Sequence, residues 1–128
     1  MRLVPLQGRG RYFEQGRVLA KGIQLREERN EMVYEGDKPC IIDFYADWCG
    51  PCKQVAPILR DLAILYKNDI VVYKVNVDKE KELAAAFGIQ SIPTFLFIPK
   101  EGQPQISMGA LPREEFVKQI DTFLLKKK

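Results

Sequence analysis

The sequence contains no histidine, a single tryptophan and only three cysteines among its 128 residues. Without histidine there is no Cys–His nucleophile pair and no histidine-bearing metal site. The odd cysteine count argues against a scaffold stapled by disulfides. A structural zinc site usually takes two separated cysteine pairs. Here Cys49 and Cys52 form one close pair and Cys40 stands apart, so a bound metal is not expected. No apolar run approaches the roughly 18 residues of a membrane-spanning helix. The opening Met1-Arg2-Leu3-Val4-Pro5-Leu6 lacks the apolar core of a signal peptide. The expectation is therefore a protein that does not insert into a membrane. Neither sign of charge dominates: 20 basic against 17 acidic residues leave +3. That balance does not point to nucleic acid as a partner. The one basic tract, Lys126-Lys127-Lys128, suits the negative pole of a closing helix.

What remains is enough for one domain. The length is that of a single unit, and 46% apolar residues supply one core. Residues 7–17 are rich in Gly and Arg without a clear period. Residues 1–17 are accordingly read as a flexible N-terminal extension or appended arm, and residues 18–128 as a single domain.

From about Gly36 onward strands and helices alternate. Residues 40–46, Cys-Ile-Ile-Asp-Phe-Tyr-Ala, form an almost continuous apolar run, as in a strand covered on both faces. Asp43 interrupts it. Residues 50–67 carry Cys52, Val55, Ala56, Leu59, Leu62, Ala63 and Tyr66 at three- and four-residue spacing, which predicts one amphipathic helix. Pro51 falls in its first turn, where a missing N–H costs little, and Pro57 falls inside it, where a kink is expected. A strand is expected over Ile70–Val77, a short helix over Glu80–Phe87 stopped by Gly88, and a strand over Thr94–Ile98. A short turn then leads to an antiparallel strand at Gln105–Met108. A last helix starts at Pro112, with Glu114 and Glu115 in its first turn and an apolar stripe of Phe116, Val117, Ile120, Phe123 and Leu124. Upstream, Gly22–Leu25 reads as a strand and Arg26–Tyr34 as a helix. The order implies an α/β fold, a central mixed sheet with helices on both faces.

The chemistry is concentrated in Ala46-Asp47-Trp48-Cys49-Gly50-Pro51-Cys52-Lys53, where the buried strand gives way to the helix. A helix N-terminus offers unpaired N–H groups and a partial positive charge, which favour a thiolate at Cys49. Cys52, one turn on and on the apolar stripe, is expected to be the more buried of the two. A lone Cys-x-x-Cys is weak evidence, being shared with metal knuckles and accidental pairs; at a strand-to-helix junction it gains weight.

With Trp48 before the pair and Gly50-Pro51 inside it, the segment resembles the active site of the thioredoxin family. Asp43-Phe44-Tyr45-Ala46 is similar to the strand that leads into that site, and Pro57 matches the family's helix kink. Phe87-Gly88-Ile89-Gln90-Ser91-Ile92-Pro93-Thr94 resembles the family's segment ending in a cis-proline. Gly109-Ala110-Leu111 resembles the later glycine turn beside the substrate groove. The resemblance covers about residues 36–125 and does not extend over the first 35.

The resemblance implies a thioredoxin fold and a thiol–disulfide oxidoreductase that reduces protein disulfides through a Cys49–Cys52 pair, with no cofactor beyond that disulfide. It implies Asp43 as the base that activates Cys52, with Lys74 offsetting its charge. Trp48, Gly50, Pro51, Ile92, Pro93 and Gly109 would border the substrate, and Ile92-Pro93 would be cis. Protein disulfides are the expected substrates, and a thioredoxin-reductase-like or membrane electron donor would restore the dithiol. The chain is expected to be a monomer in the cytoplasm, or in the periplasm if a leader has been removed. An oxidase or isomerase of an oxidising compartment and a non-catalytic binding subunit are the alternatives. Asp47 reads as a rim charge and Cys40 as a small core residue.

Overall fold

Alternation along the apolar run at residues 40–46 organises the domain. The structure, a computed structural model, describes residues 38–127 together with four short strands at residues 2–5, 16–20, 23–26 and 31–34. Those four are β1 (Arg2–Pro5), β2 (Gly16–Ala20), β3 (Ile23–Arg26) and β4 (Glu31–Tyr34). The remaining elements are β5 (Cys40–Tyr45), α1 (Gly50–Leu65), β6 (Val71–Asn76), α2 (Lys81–Ala86), β7 (Thr94–Ile98), β8 (Gln105–Met108) and α3 (Arg113–Lys118).

The central sheet has the order β6-β5-β7-β8. β5 runs parallel to β6, with Cys40 opposite Val71 and Tyr45 opposite Asn76. It runs antiparallel to β7, which forms the expected antiparallel pair with β8. Strand side chains alternate between faces, so β5 feeds two cores. Cys40, Ile42 and Phe44 join Leu83 of α2 with Leu96 and Ile98 of β7. Ile41 joins Val55, Leu59 and Leu62 of α1, Phe95 and Phe97 of β7, and Phe116 of α3. Phe116 meets Phe95 edge to face, ring centres 4.9 Å apart, which locks the last helix to the middle of the sheet. The result is the mixed sheet with helices on both faces that the element order implies.

Pro57 lies inside α1, which runs unbroken from Gly50 to Leu65. Gly88, at φ +71°, ends the turn after α2, a conformation glycine adopts without steric cost. The last helix differs from expectation. After α3 the chain continues as a wider π-helical segment, Gln119–Leu124, in which the Leu125 N–H donates to the Ile120 carbonyl at 2.8 Å, five residues back. Phe116, Ile120 and Leu124 all remain buried along it.

The N-terminal expectations need correction at one point. Of the stretch Arg26–Tyr34, read as a helix, Arg26 closes β3 and Glu31–Tyr34 form β4, residues 27–30 lying outside the described residues: β3 and β4 pair antiparallel, Ile23 opposite Tyr34 through Arg26 opposite Glu31. β4 also pairs in parallel with β1. Ladder bonds on both edges outweigh the helix propensity of the Glu- and Arg-rich stretch, which is worth only tenths of a kcal/mol per residue. The strand read at Gly22–Leu25 corresponds to β3, Gly22 itself lying outside the described residues. Of residues 1–17, read as an arm, Arg2–Pro5 form β1 and Gly16-Arg17 open β2; residues 6–15 lie outside the described residues.

Candidate active site

β5 ends at Tyr45, a tight turn follows at Asp47 and Trp48, and α1 begins at Gly50. Cys49 is therefore the N-cap of α1, with extended backbone (φ −87°, ψ 110°). Its sulfur accepts a hydrogen bond from the Cys52 N–H at 3.2 Å, as a serine oxygen would in a conventional cap. The two cysteines are joined as a disulfide, their α-carbons 5.3 Å apart. The expectation that Cys52 is the more buried does not hold, since Cys49 is 4% and Cys52 5% exposed. The closed bridge draws both sulfurs into one cluster with Ala46, and Tyr45, Val77 and Ile92 pack against it. Gly50 and Pro51 stand exposed at the helix tip.

The cis-proline loop forms the next wall. The Ile92–Pro93 peptide is cis. The Thr94 hydroxyl donates to the Ser91 carbonyl at 2.6 Å, tying the loop across the cis bond. The Gly109 N–H donates to the Pro93 carbonyl at 2.8 Å, so the glycine after β8 lies against the proline. Gly109 has φ +93°, a region that other residues enter only at a cost. Ile92, Pro93 and Gly109 are thus brought together, with Ile92 touching the disulfide cluster.

Asp43 lies on the α1-facing side of β5, opposite Phe95 of β7 and Lys74 of β6. It is 1% exposed, and its Oδ1 has no hydrogen-bond partner. Burial disfavours its charged form and raises its pKa to about 6, with the positive charge of Lys74 pulling the other way. Lys74 keeps its side chain exposed, with the ammonium 4.5 Å from the centre of the Tyr45 ring. It acts on Asp43 through its field and not through an ion pair.

Trp48 is not a core residue: 69% of it is exposed. Its indole N–H donates to Asp78 Oδ2 at 2.8 Å. Asp78 and its neighbour Asn76 escaped the sequence reading. A strand closing on Asn-Val-Asp was the available signal, because an asparagine side chain at a strand end readily bonds the backbone two residues on. Asp47 is exposed, as a rim charge would be. Cys40 is fully buried, and desolvation pushes its thiol up to about 12. Among the described residues no group of three metal-ligating side chains comes together, and no helix is long and apolar enough to cross a membrane.

Comparison with known proteins agrees with this geometry. A family model described as Thioredoxin matches residues 23–122. A thioredoxin from Borreliella burgdorferi is 50% identical over 93 residues, covering 73% of this chain and 80% of the relative. A thioredoxin from Alicyclobacillus acidocaldarius is 38% identical over 97 residues, covering 75% of this chain and 91% of the relative. The chloroplastic M-type thioredoxin of Spinacia oleracea is 39% identical over 94 residues, 73% of this chain but 52% of that protein.

Proposed function

The chain belongs to the thioredoxin family, and on that premise we propose that its protein-disulfide reductase activity runs through Cys49 as attacking thiolate and Cys52 as resolving thiol. The chain is a thiol–disulfide oxidoreductase whose own disulfide carries the two electrons, so no bound cofactor enters. The observation that carries the assignment of roles is the position of Cys49. It caps α1, where the first-turn N–H groups and the helix dipole favour a sulfur anion, and Cys52 already donates its N–H to that sulfur.

In the reduced protein the Cys49 thiolate attacks one sulfur of a substrate disulfide. A mixed disulfide forms, and the other substrate sulfur leaves as a thiolate. Cys52 then gives up its proton and attacks the Cys49 sulfur. The second substrate sulfur departs, and Cys49–Cys52 closes, oxidised by two electrons. Asp43 takes the Cys52 proton. With a pKa raised to about 6 it is largely ionised near neutral pH while remaining basic enough for the task. Lys74 limits that rise. Ile92, Pro93 and Gly109 form one border of the substrate surface, and Trp48, Gly50 and Pro51 the other.

The substrates are protein disulfides, and a reductase must return the pair to the dithiol. We place the protein in a reducing cytoplasm, where a buried free thiol such as Cys40 is unremarkable. The equilibrium reduction potential of Cys49–Cys52, measured in a Cys40→Ala background, tests this reading. A potential near −270 mV, the value typical of the family, supports the reductase. A potential more oxidising by about 100 mV would make it an oxidase or isomerase instead.

A further inference from the structure

An indole with most of its surface in water does not keep one orientation by packing. Trp48 is 69% exposed, and the described contact that fixes its ring is the hydrogen bond from Nε1 to Asp78, 30 residues further along the chain. Asp78 is itself exposed, so its own position needs a cause. That cause is Asn76, the last residue of β6, which is buried. Its Oδ1 accepts from the Asp78 N–H at 3.0 Å and the Lys79 N–H at 3.3 Å. Its backbone carbonyl accepts from the Glu80 N–H at 2.9 Å. Between them, the Val77 N–H donates to the Tyr45 carbonyl at 2.9 Å, and the Val77 side chain packs on the disulfide cluster. The loop leaving β6 is thus pinned to the strand that leads into the site, and it presents one carboxylate to the indole.

We propose that Asp78 is a positioning residue for substrate recognition, holding the Trp48 indole open as a fixed edge of the surface that a protein disulfide meets beside Cys49, with Asn76 holding Asp78 in turn. The proposal rests on the reductase reading above and adds to it the device that sets one wall of the docking surface. A polypeptide flanking its disulfide reaches that wall; a small disulfide needs only the cysteines. Loss of the bond therefore weakens the encounter with a protein substrate and leaves the sulfur chemistry intact.

The experiment compares Asp78→Ala and Asp78→Asn with the parent. The first removes the acceptor; the second removes the charge but keeps an oxygen for the indole N–H. Insulin reduction, with dithiothreitol as recycling donor, reads recognition of a protein disulfide. The reaction of the reduced protein with dithionitrobenzoate, a small disulfide, reads the chemistry alone. Trp48 is the only tryptophan, so indole emission reports its freedom directly. In Asp78→Ala the KM for insulin should rise about three- to tenfold, the range set by one hydrogen bond. Its kcat, its dithionitrobenzoate rate and its reduction potential should stay within about twofold or a few millivolts of the parent, with a changed indole emission. Asp78→Asn should restore the KM and the emission. A parental KM in Asp78→Ala overturns the proposal. So does an Asp78→Asn protein that behaves like Asp78→Ala, because the charge and not the bond would then matter. A parallel fall in both the insulin and dithionitrobenzoate reactions also overturns it, by placing Asp78 in the cysteine chemistry. Failure of the parent itself to reduce either disulfide would instead remove the reductase reading.

Discussion

Asp43 and Lys74 are register partners across the parallel ladder of β5 and β6, yet they make no ion pair. The lysine ammonium rests over the Tyr45 ring, and Asp43 Oδ1 is left in the core without a hydrogen-bond partner. A carboxylate treated this way is expensive for the fold and useful for proton transfer.

The stability cost has a defined pH window. The Asp43 carboxyl titrates at about 6 in the folded chain against an ordinary 3.8. Between those values the folded protein holds a proton that the unfolded chain has released, so stability falls as pH rises through the window and is level above it. Asp43→Asn should therefore be more stable than the parent near pH 7, by about 1 to 3 kcal/mol. The advantage should vanish below about pH 4, a trend that denaturant titrations of the oxidised protein at several pH values will reveal. The same variant should release a trapped mixed disulfide about tenfold or more slowly while forming it at the parental rate. Equal rates for both steps in mutant and parent would remove Asp43 from the mechanism.

Lys74→Met removes the positive charge that restrains Asp43, so the carboxyl pKa should climb further. Release of substrate by Cys52 should then need a higher pH, and near pH 6 it should be slower by roughly two- to fivefold. The check is the pH profile of the second step, shifted upward as a whole. A profile that keeps its midpoint would separate Lys74 from Asp43.

The two cysteines should fail differently. Cys52→Ser should accumulate a mixed disulfide with a protein substrate, visible by mass as a covalent adduct that dithiothreitol dissolves. Cys49→Ser should form no such adduct. Adduct formation through Cys52 would reverse the assignment of attacker and resolver.

Gly109→Ala and Gly50→Ala form a matched pair. A β-carbon at either position meets nothing within 4 Å. Gly109, however, has φ +93°, whereas Gly50 begins a helix. The Gly109 variant should lose about 1 to 2 kcal/mol and disturb the bond to the Pro93 carbonyl, raising the KM for insulin. The Gly50 variant should stay within about 0.5 kcal/mol of the parent. Thermal melts of the pair will show whether backbone conformation alone accounts for the difference.

Tyr66→Phe tests a tie remote from the chemistry. The Tyr66 hydroxyl donates to Asp121 Oδ1 at 3.0 Å, joining the end of α1 to the π-helical segment, where Lys127 also approaches Asp121 at 3.6 Å. Loss of that bond should cost about 1 kcal/mol and leave insulin reduction unchanged.

Much of this was legible in the chain because the signals were periodic or adjacent. The apolar run at residues 40–46 and the stripe from Cys52 to Tyr66 locate β5 and α1, and their junction places the cysteines at a helix cap. What could not be read depends on distant pairing or on the state of the disulfide. Asp78 is one charge in a polar loop, and only its reach back to Trp48 gives it a role. The near-equal burial of Cys49 and Cys52 follows from the closed bridge, which helical spacing does not encode. The stretch 26–34 has helix-favouring residues, yet Glu31–Tyr34 form a strand, since ladder partners on both sides of β4 are tertiary information. The widening of the last helix after Lys118 likewise leaves the apolar stripe unchanged and so escapes a reading of that stripe.

Cys40 takes no part in any of this, and that makes it a clock. With Cys49 and Cys52 bridged it is the one sulfhydryl in the chain, sealed inside the middle strand with its thiol held protonated. An alkylating reagent reaches it only when the core that it shares with Leu83, Leu96 and Ile98 opens. The rate at which the oxidised protein gains a single label therefore counts openings of that core, one molecule at a time, with no engineered probe.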